Sequence, residues 1–318
     1  MLIHDKIYGD IDISSPVVCA LIQTKAFQRL KDISQFGIPD QYSHNRGYSR
    51  YEHSLGVYFL LNKLKASEEQ QIAGLLHDLS HTAFSHVVDW VIDNVSNENF
   101  QDKSHVDIVN KGEIAEILTQ HNYNPSQIAN LQAFPLLERE VPDLCADRID
   151  YALREISKPV IEACLPALIV HNNEIIFNSI DTASIFAHSF LDIQINHWAG
   201  YEAITRYSIF SQLLKDAMGA GVISFADLWE TEEGVIHKIN KSNTKKYQEI
   251  LDLLTQKDLS FLPKSKNPIM KKLRYVDPKI QTNNGVLRLS EINPTFKLTI
   301  NKAIKQNKHG YHSGLLPI

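Results

Sequence analysis

The sequence lacks most features of secreted and membrane-spanning proteins. Only three cysteines are present, Cys19, Cys145 and Cys164, and they are widely spaced without a Cys-x-x-Cys pattern. We expect free thiols in a reducing compartment. No run of residues approaches the ~20 apolar side chains that span a bilayer. The N-terminus is charged where a secretory signal needs an apolar core. We therefore expect a cytoplasmic protein with no membrane partner.

The sequence also lacks an excess of positive charge, internal repeats and low-complexity tracts. Its formal net charge is −5, which argues against a protein dedicated to coating nucleic acid or anionic membranes. Lysines in the last third could form a local basic face, but a solvated lysine surface is the more common explanation of such a pattern. These lysines are Lys264, Lys266, Lys271, Lys272 and Lys279.

Helical periodicity dominates the first two thirds of the chain, and we expect a mostly α fold. Apolar spacing and end signals predict helices over 23–36, 51–64, 68–80, 87–95, 106–120, 126–133, 142–156 and 182–218. Residues 167–178 read as a short β-hairpin. The composition changes near residue 222, after which we expect a lysine-rich helix over 238–258 and strands over 271–281 and 285–292. The predicted organisation is a helical domain, 1–222, and a smaller mixed α/β C-terminal part, 223–318.

Four residues with metal-ligand side chains recur in informative contexts: His53, the adjacent pair His77 and Asp78, and Asp147. Two imidazoles and two carboxylates suit a divalent transition metal, namely manganese, iron, cobalt, nickel or zinc, better than calcium. Such a site can deprotonate water near neutral pH beside a phosphate oxygen. Asp78 is also a candidate acceptor for the proton of that water. The four residues predict hydrolysis of a phosphoester or phosphoanhydride.

Three further histidines are candidates for proton transfer or phosphate contact. A leaving oxygen needs a proton donor, for which an imidazolium is suited. The candidates are His81, His86 and His105. His81 follows His77 by four residues and is alternatively a hydrogen-bond partner of the ligands. His86 alternatively orients a turn, and His105, beside a polar loop, is alternatively exposed.

Three arginines near the same motifs are candidates for phosphate binding: Arg50, Arg148 and Arg154. A guanidinium group matches two phosphate oxygens at once. For Arg154, a buried ion pair with a nearby acid is an alternative of similar weight.

Residues 19–155 resemble the HD-domain metal-dependent phosphohydrolases, and among them the deoxynucleoside triphosphate triphosphohydrolase branch, which includes the sterile-alpha-motif/HD-domain type. The resemblance rests on these segments: 27–30 (FQRL), 35–37 (QFG), 43–45 (SHN), 50–56 (RYEHSLG), 77–81 (HDLSH), 84–86 (FSH) and 147–151 (DRIDY). It covers a little under half of the chain. The loop 46–49 departs from the compact family pattern, and Arg148 stands where the relative has lysine.

The resemblance implies a role for each matched position. It makes His53, His77, Asp78 and Asp147 the metal ligands. It implies that His86 is the general acid, with His81 and His105 contacting phosphate. Arg50 and Arg148 would contact the triphosphate. Tyr151 would pack under the deoxyribose, and Gln35 and Phe36 would line the sugar.

The resemblance favours cleavage of a dNTP into deoxynucleoside and triphosphate, with magnesium accompanying the nucleotide. It also implies a homo-oligomer. An HD-type phosphomonoesterase or phosphodiesterase acting on another nucleotide or a small phosphorylated metabolite is the alternative, since the metal ligands are common to both. A third interpretation, a non-catalytic nucleotide sensor or nucleic-acid binder, rests only on the C-terminal lysines.

Overall fold

A computed structural model describes residues 1–96 and 98–316. The mostly α architecture with small β elements is confirmed. The first nine α-helices of the described residues are α1 Pro16–Ile22, α2 Lys25–Arg29, α3 Arg50–Lys63, α4 Glu68–Leu76, α5 Val87–Val91, α6 Phe100–Val109, α7 Gly112–Gln120, α8 Pro125–Ile128 and α9 Ala146–Leu153.

The remaining helices are α10 Lys158–Cys164, α11 Ile180–Ile193, α12 Tyr201–Gly219, α13 Glu232–Lys241, α14 Lys245–Leu254, α15 Leu289–Ile292 and α16 Pro294–Asn307. The six strands are β1 Leu2–Asp5, β2 Gly9–Asp12, β3 Leu168–His171, β4 Glu174–Phe177, β5 Lys279–Thr282 and β6 Gly285–Arg288. Strands β1 and β2 form a separate hairpin. The others form a four-stranded sheet in the order β3-β4-β5-β6, in which β4 and β5 are parallel and the other pairs antiparallel.

Local sequence explains how the two central helices begin. Ser49 and Glu52 form a capping box at the start of α3, and Ser67 caps α4, which satisfies backbone N–H groups that a helix start leaves free. Helices α3 and α4 then pack closely because Gly74 has no side chain. A Cβ atom there would lie 2.4 Å from Leu61 Cδ1. This close packing brings the end of α4 to the beginning of α3.

Buried apolar side chains from both sides of residue 222 pack together. One cluster includes Val276, Ile280 and Phe296 with side chains of the helical region, and a second joins α5 and α12 to residues 223–262. The boundary near residue 222 stays a prediction, but the core is continuous across it. Among the described residues, no helix has both the length and the apolar character needed to cross a membrane.

Several elements differ from the sequence-based expectations. The helix predicted over 182–218 is interrupted by a π-helical turn, Gln194–Trp198, before α12 starts. The strand predicted over 271–281 is wrong before Lys279, because Lys271 and Arg274 bind a buried carboxylate there instead of joining a strand ladder. The N-terminal hairpin and helix α16 were not predicted. Their patterns are short or polar, and tertiary packing stabilises them.

Candidate metal centre

The four predicted ligands come from three elements that meet at one buried point. His53 lies in the second turn of α3, His77 and Asp78 directly follow α4, and Asp147 lies in the first turn of α9. His53, His77 and Asp147 each place one ligand atom within 4.8 Å of the others. Residues far apart in sequence are thus brought together by the packing of α3 against α4 and α9.

The ligand atoms face one another at short distances. His53 Nε2 lies 2.9 Å from Asp147 Oδ1 and 3.2 Å from His77 Nε2. His77 Nε2 lies 3.6 Å from Asp147 Oδ1 and 3.4 Å from Asp78 Oδ1. Asp78 Oδ2 is 3.8 Å from His53 Nε2. Two imidazoles and two carboxylates therefore converge, as the sequence led us to expect.

The opposite nitrogen of each imidazole identifies its tautomer. His53 Nδ1 lies 2.7 Å from Asp150 Oδ2, and His77 Nδ1 lies 2.7 Å from the carbonyl oxygen of Gly74. Both partners only accept hydrogen bonds, so both Nδ1 atoms carry a proton. When both rings are neutral, the lone pairs of their Nε2 atoms converge across 3.2 Å. A cation shared by the two nitrogens makes this contact favourable, and either a proton or a divalent metal can supply it.

Asp150 was not among the residues predicted from sequence, although it follows Asp147 by three positions on the same helix face. It is fully buried and binds His53, Arg154 and the hydroxyl of Tyr8. It reaches His53 because Gly56 has no side chain: a Cβ atom there would lie 2.0 Å from Asp150 Oδ1. Asp150 therefore orients His53 from outside the ligand set.

Burial and neighbouring groups of opposite charge determine the pKa values at the centre. Burial alone would lower the pKa of His77, but Asp78 and Asp147 outweigh it and raise that pKa to about 9. Burial alone would raise the pKa of Asp78, but Arg50 and His77 hold it well below its usual range. The clustered carboxylates therefore attract a cation to this position, for which protons and metal ions compete.

The predicted phosphate-binding arginines are all engaged by groups of the protein. Arg50 donates to Asp78 Oδ2 at 2.8 Å, to Ser85 Oγ and to the Gln35 carbonyl. Arg148 donates to two backbone carbonyls, those of Asp143 and Arg139. Both side chains are buried, so these guanidinium groups fix the walls of the site.

Arg154 lies in the buried ion pair that the sequence left open as its alternative. It binds Asp150 Oδ2 at 2.8 Å and Asp5 Oδ2 at 2.9 Å, and it donates to the Glu52 carbonyl. Its side chain is 4 % exposed. Because Asp5 belongs to β1, the N-terminal hairpin takes part in this network.

The three candidate histidines lie beside the ligands. His81 Nε2 is 3.3 Å from Asp78 Oδ1, and its ring centre lies 5.1 Å from that of His86. His86 Nδ1 is in turn 3.3 Å from Asp89 Oδ2. His105 is buried, not exposed, and neither ring nitrogen has a hydrogen-bond partner within the described residues. Burial lowers its pKa to about 4.

An aromatic wall flanks the centre on its other side. Tyr151 has its ring centre 6.3 Å from that of His53 and 5.2 Å from that of Trp198. Phe36 lies 4.8 Å from His197, and the neighbouring Gln35 has a buried Oε1 atom without a hydrogen-bond partner among described residues. Of the predicted sugar-lining residues, Tyr151 thus adjoins the ligand His53, and Gln35 is linked to Asp78 through Arg50.

Sequence reasoning missed two members of this wall and the acid that holds them. Glu155 accepts hydrogen bonds from His197 Nδ1 and Trp198 Nε1. Both residues lie in the π-helical turn 194–198, a geometry that is frequent at functional sites. The adjacent His-Trp pair was visible in the sequence, but the helical pattern gave no sign of an interruption.

Comparisons with known proteins agree with this geometry. The HD domain pattern matches residues 50–153. The Bacillus subtilis protein YdhJ is 33% identical over 332 aligned residues, which cover 99% of each chain. This chain belongs to the HD-domain family of metal-dependent phosphohydrolases. The HD pattern spans the metal-ligand motifs of α3, the end of α4 and α9.

Other HD proteins resemble this one over different lengths. The metal-dependent phosphohydrolase cns2 of Cordyceps militaris is 26% identical over 73% of this chain and 71% of its own. The deoxynucleoside triphosphate triphosphohydrolase SAMHD1 of Bos taurus is 39% identical, but over only 28% of this chain and 17% of SAMHD1. A phosphohydrolase structure from Bacteroides thetaiotaomicron shares the fold with a TM-score of 0.66, 16% identity and coverage of 92% and 94%.

Proposed function

We propose that this HD protein hydrolyses dNTPs to deoxynucleoside and triphosphate, with His53, His77, Asp78 and Asp147 as its metal ligands. The observation that carries the metal-dependent part is the pair of Nε2 atoms that face each other at 3.2 Å while both Nδ1 atoms are fixed by acceptors. A divalent metal bound there would lower the pKa of water and screen the charge of a phosphate oxygen.

The neighbouring side chains supply the remaining chemistry. Water attacks the α-phosphorus, the bond to the 5′-oxygen breaks, and His86 gives a proton to that leaving oxygen. Asp78 accepts the proton of the water. His81, 3.3 Å from Asp78, and the unpaired His105 contact phosphate oxygens. Arg50 acts on this step by holding Asp78 in place.

The organic part of the substrate packs against the aromatic wall. Tyr151 provides ring surface next to His53, and Phe36 provides ring surface beside Tyr48 and His197. The Oε1 atom of Gln35, which has no partner among the described residues, accepts a hydrogen bond from a sugar hydroxyl. The similarity to SAMHD1 over part of the chain supports the deoxynucleotide.

An HD-type phosphomonoesterase or phosphodiesterase is the second candidate. It is favoured by the engagement of Arg50, Arg148 and Arg154 with groups of the protein, since a substrate with one phosphate needs fewer free cations than a triphosphate. The two candidates share the metal ligands and differ only in what occupies the space beside them.

A substrate screen tests the proposal. The metal-stripped protein is reconstituted separately with manganese, iron, cobalt, nickel or zinc, with magnesium present, and incubated with the four dNTPs, nucleoside monophosphates and cyclic nucleotides. We expect deoxynucleoside and intact triphosphate in equal amounts, separated by ion-exchange chromatography. Turnover of monophosphates or cyclic nucleotides with inert dNTPs selects the second candidate. Light scattering on the same samples tests the predicted homo-oligomer.

A further inference from the structure

A buried carboxylate outside the metal centre binds two cations of the C-terminal part. Glu98 Oε1 lies 2.9 Å from Lys271 Nζ, and Glu98 Oε2 lies 2.6 Å from Arg274 Nη2. The Glu98 side chain is 1 % exposed. Burial opposes its charge, but Lys271 and Arg274 hold its pKa well below the usual range. An ionised, buried Glu98 therefore fixes residues 271–274 against the helical region.

Aromatic side chains determine where this segment lies. Lys271 Nζ is 4.6 Å from the ring centre of Tyr207 and 5.7 Å from that of Trp90. The Tyr207 hydroxyl donates to the carbonyl oxygen of Phe36 at 2.6 Å. The segment is thus connected through Tyr207 to the residue proposed to line the sugar.

Arg274 is held firmly but is not saturated with partners. Its one hydrogen bond among the described residues runs from Nη2 to Glu98, so Nε and Nη1 retain free donors. Its side chain is 20 % exposed. Lys272, two residues earlier, is exposed. A guanidinium group that is fixed at one end and open at the other is suited to bind a phosphate without a large entropy cost.

Packing and charge both relate this segment to the metal centre. Trp90, which lies next to Lys271, belongs to α5, the helix that begins directly after His86. Burial raises the pKa of the Tyr151 hydroxyl, and the charges of Arg148 and Arg274 oppose that rise. Burial and the charge of Asp147 raise the pKa of Glu138 to about 7, and Lys272 is among the cations that oppose this. Tyr151 belongs to α9, the helix that carries the ligand Asp147. Glu138, on which the charge of Lys272 acts, has a carboxylate oxygen within 4.8 Å of one of Asp147.

We infer that Arg274 and Lys272 bind the phosphate chain of the substrate beyond the phosphate at the metal centre. The inference rests on the proposed function. Arg274 and Lys272 supply the positive charge that a triphosphate needs, because Arg50, Arg148 and Arg154 are bound to groups of the protein. Glu98 is a positioning residue that orients Arg274, and it does not touch the substrate. Arg274 and Lys272 lie outside the HD pattern at 50–153. The C-terminal part therefore distinguishes substrates by the length of their phosphate chain.

Binding of inorganic tripolyphosphate and orthophosphate to the metal-loaded full chain tests this without turnover. By calorimetry, Arg274→Gln should weaken tripolyphosphate binding at least about tenfold, because a charge-assisted, two-pronged contact is lost. Lys272→Ala should weaken it about threefold, since that cation is exposed. Orthophosphate, which the metal centre alone can hold, should bind all variants alike. Lys266→Ala, an exposed lysine nearby, is the matched control.

Metal content and thermal unfolding are measured on every variant. Unchanged tripolyphosphate affinity in Arg274→Gln overturns the inference. If that variant loses its metal or its fold, Lys272→Ala decides, and wild-type affinity in it overturns the inference as well. Arginine-dependent tripolyphosphate binding without dNTP turnover would reject the proposed substrate and keep the phosphate site. Wild-type turnover of dNTPs in Arg274→Gln would reject the phosphate site and keep the proposed substrate.

Discussion

Two arginines that bind buried carboxylates, Arg154 and Arg274, differ in how completely they are paired. Arg154 is 4 % exposed and binds two carboxylates and a backbone carbonyl. Arg274 is 20 % exposed and makes a single hydrogen bond to Glu98 among the described residues. Arg154 lies at the end of α9 within the core, whereas Arg274 lies on an irregular segment laid over it.

The difference separates two uses of the same side chain. Asp150 connects the saturated Arg154 to the metal ligand His53, so that arginine stabilises an internal geometry. Arg274, in contrast, keeps N–H donors that bind no group among the described residues. The number of partners, and not the identity of the residue, separates an internal support from a candidate for ligand binding.

Removing Asp78 should have the largest effect, because it is the anion between Arg50 and the imidazoles. We expect Asp78→Ala to abolish both metal binding and turnover, since it also leaves the buried Arg50 charge without its partner. Metal content by mass spectrometry and product release measure the two effects. Asp107→Ala, at an exposed carboxylate, is the control. A fully metallated, active Asp78→Ala protein would contradict the ligand assignment.

Replacing His86 should lower the rate and spare the metal. His86 lies beside the metal centre: its ring is 5.1 Å from that of His81, which in turn lies 3.3 Å from the ligand Asp78. Loss of a general acid typically costs about 10²–10⁴-fold in rate, which we expect for kcat of His86→Ala with metal content unchanged. His237→Ala, at an exposed histidine, should behave as wild type. Full activity of His86→Ala would exclude the acid role.

Neutralising the acid partner of each arginine compares the two networks directly. Asp150→Asn should weaken metal affinity about 10–100-fold, because His53 loses the carboxylate that orients it. Glu98→Gln should leave metal affinity unchanged and reduce stability by about 3 kcal/mol, since it breaks a buried ion pair. Metal titration and urea unfolding measure both. Equal losses of metal affinity in the two variants would remove the distinction between the networks.

A third buried acid, Glu232, forms no ion pair with an arginine among the described residues, and its contribution to stability should change with pH in the opposite direction. It accepts hydrogen bonds from Ser34 and the Phe84 backbone, but burial outweighs them and raises its pKa from 4.5 to about 7. The folded state therefore binds more protons between these values, and its stability falls as pH rises through that window.

Substitution of Glu232 isolates this contribution. Between pH 4.5 and 8 the unfolding free energy of Glu232→Gln should fall less than that of wild type. The difference between the two decreases should reach about 3 kcal/mol. Denaturant unfolding across this range measures the difference. Glu233→Gln, at the adjacent exposed position, should follow the wild type. If the unfolding free energy of Glu232→Gln depends on pH in the same way as that of wild type, the proton that the folded state binds is not on Glu232.

The sequence predicted the mostly α fold and the hairpin at 167–178, because these depend on local periodicity and turn residues. The convergence of His53, His77, Asp78 and Asp147 was also predictable, since each lies in a distinctive motif. The partners of the arginines were not. Whether a guanidinium group binds Asp150, a backbone carbonyl or Glu98 depends on which distant segments pack beside it, and no local pattern encodes that.

The interrupted helix and the segment 271–278 were missed for related reasons. The apolar stripe continues through 182–218, so periodicity alone could not reveal the π-helical turn that positions His197 and Trp198. Residues 271–281 alternate like a strand, but two of their polar side chains are buried against Glu98. Long-range ion pairs overrode the local preference.

The parallel pairing of β4 with β5 limits how the chain can be shortened. Phe177 pairs with Ile280 across about a hundred residues of sequence, and β5 in turn holds β6. A fragment that ends at residue 222 would expose the hydrogen-bonding edge of β4, whose Ile175, Ile176 and Phe177 are apolar. Exposed apolar edges recruit other chains. Such a fragment, although it contains the whole HD pattern, should aggregate on expression.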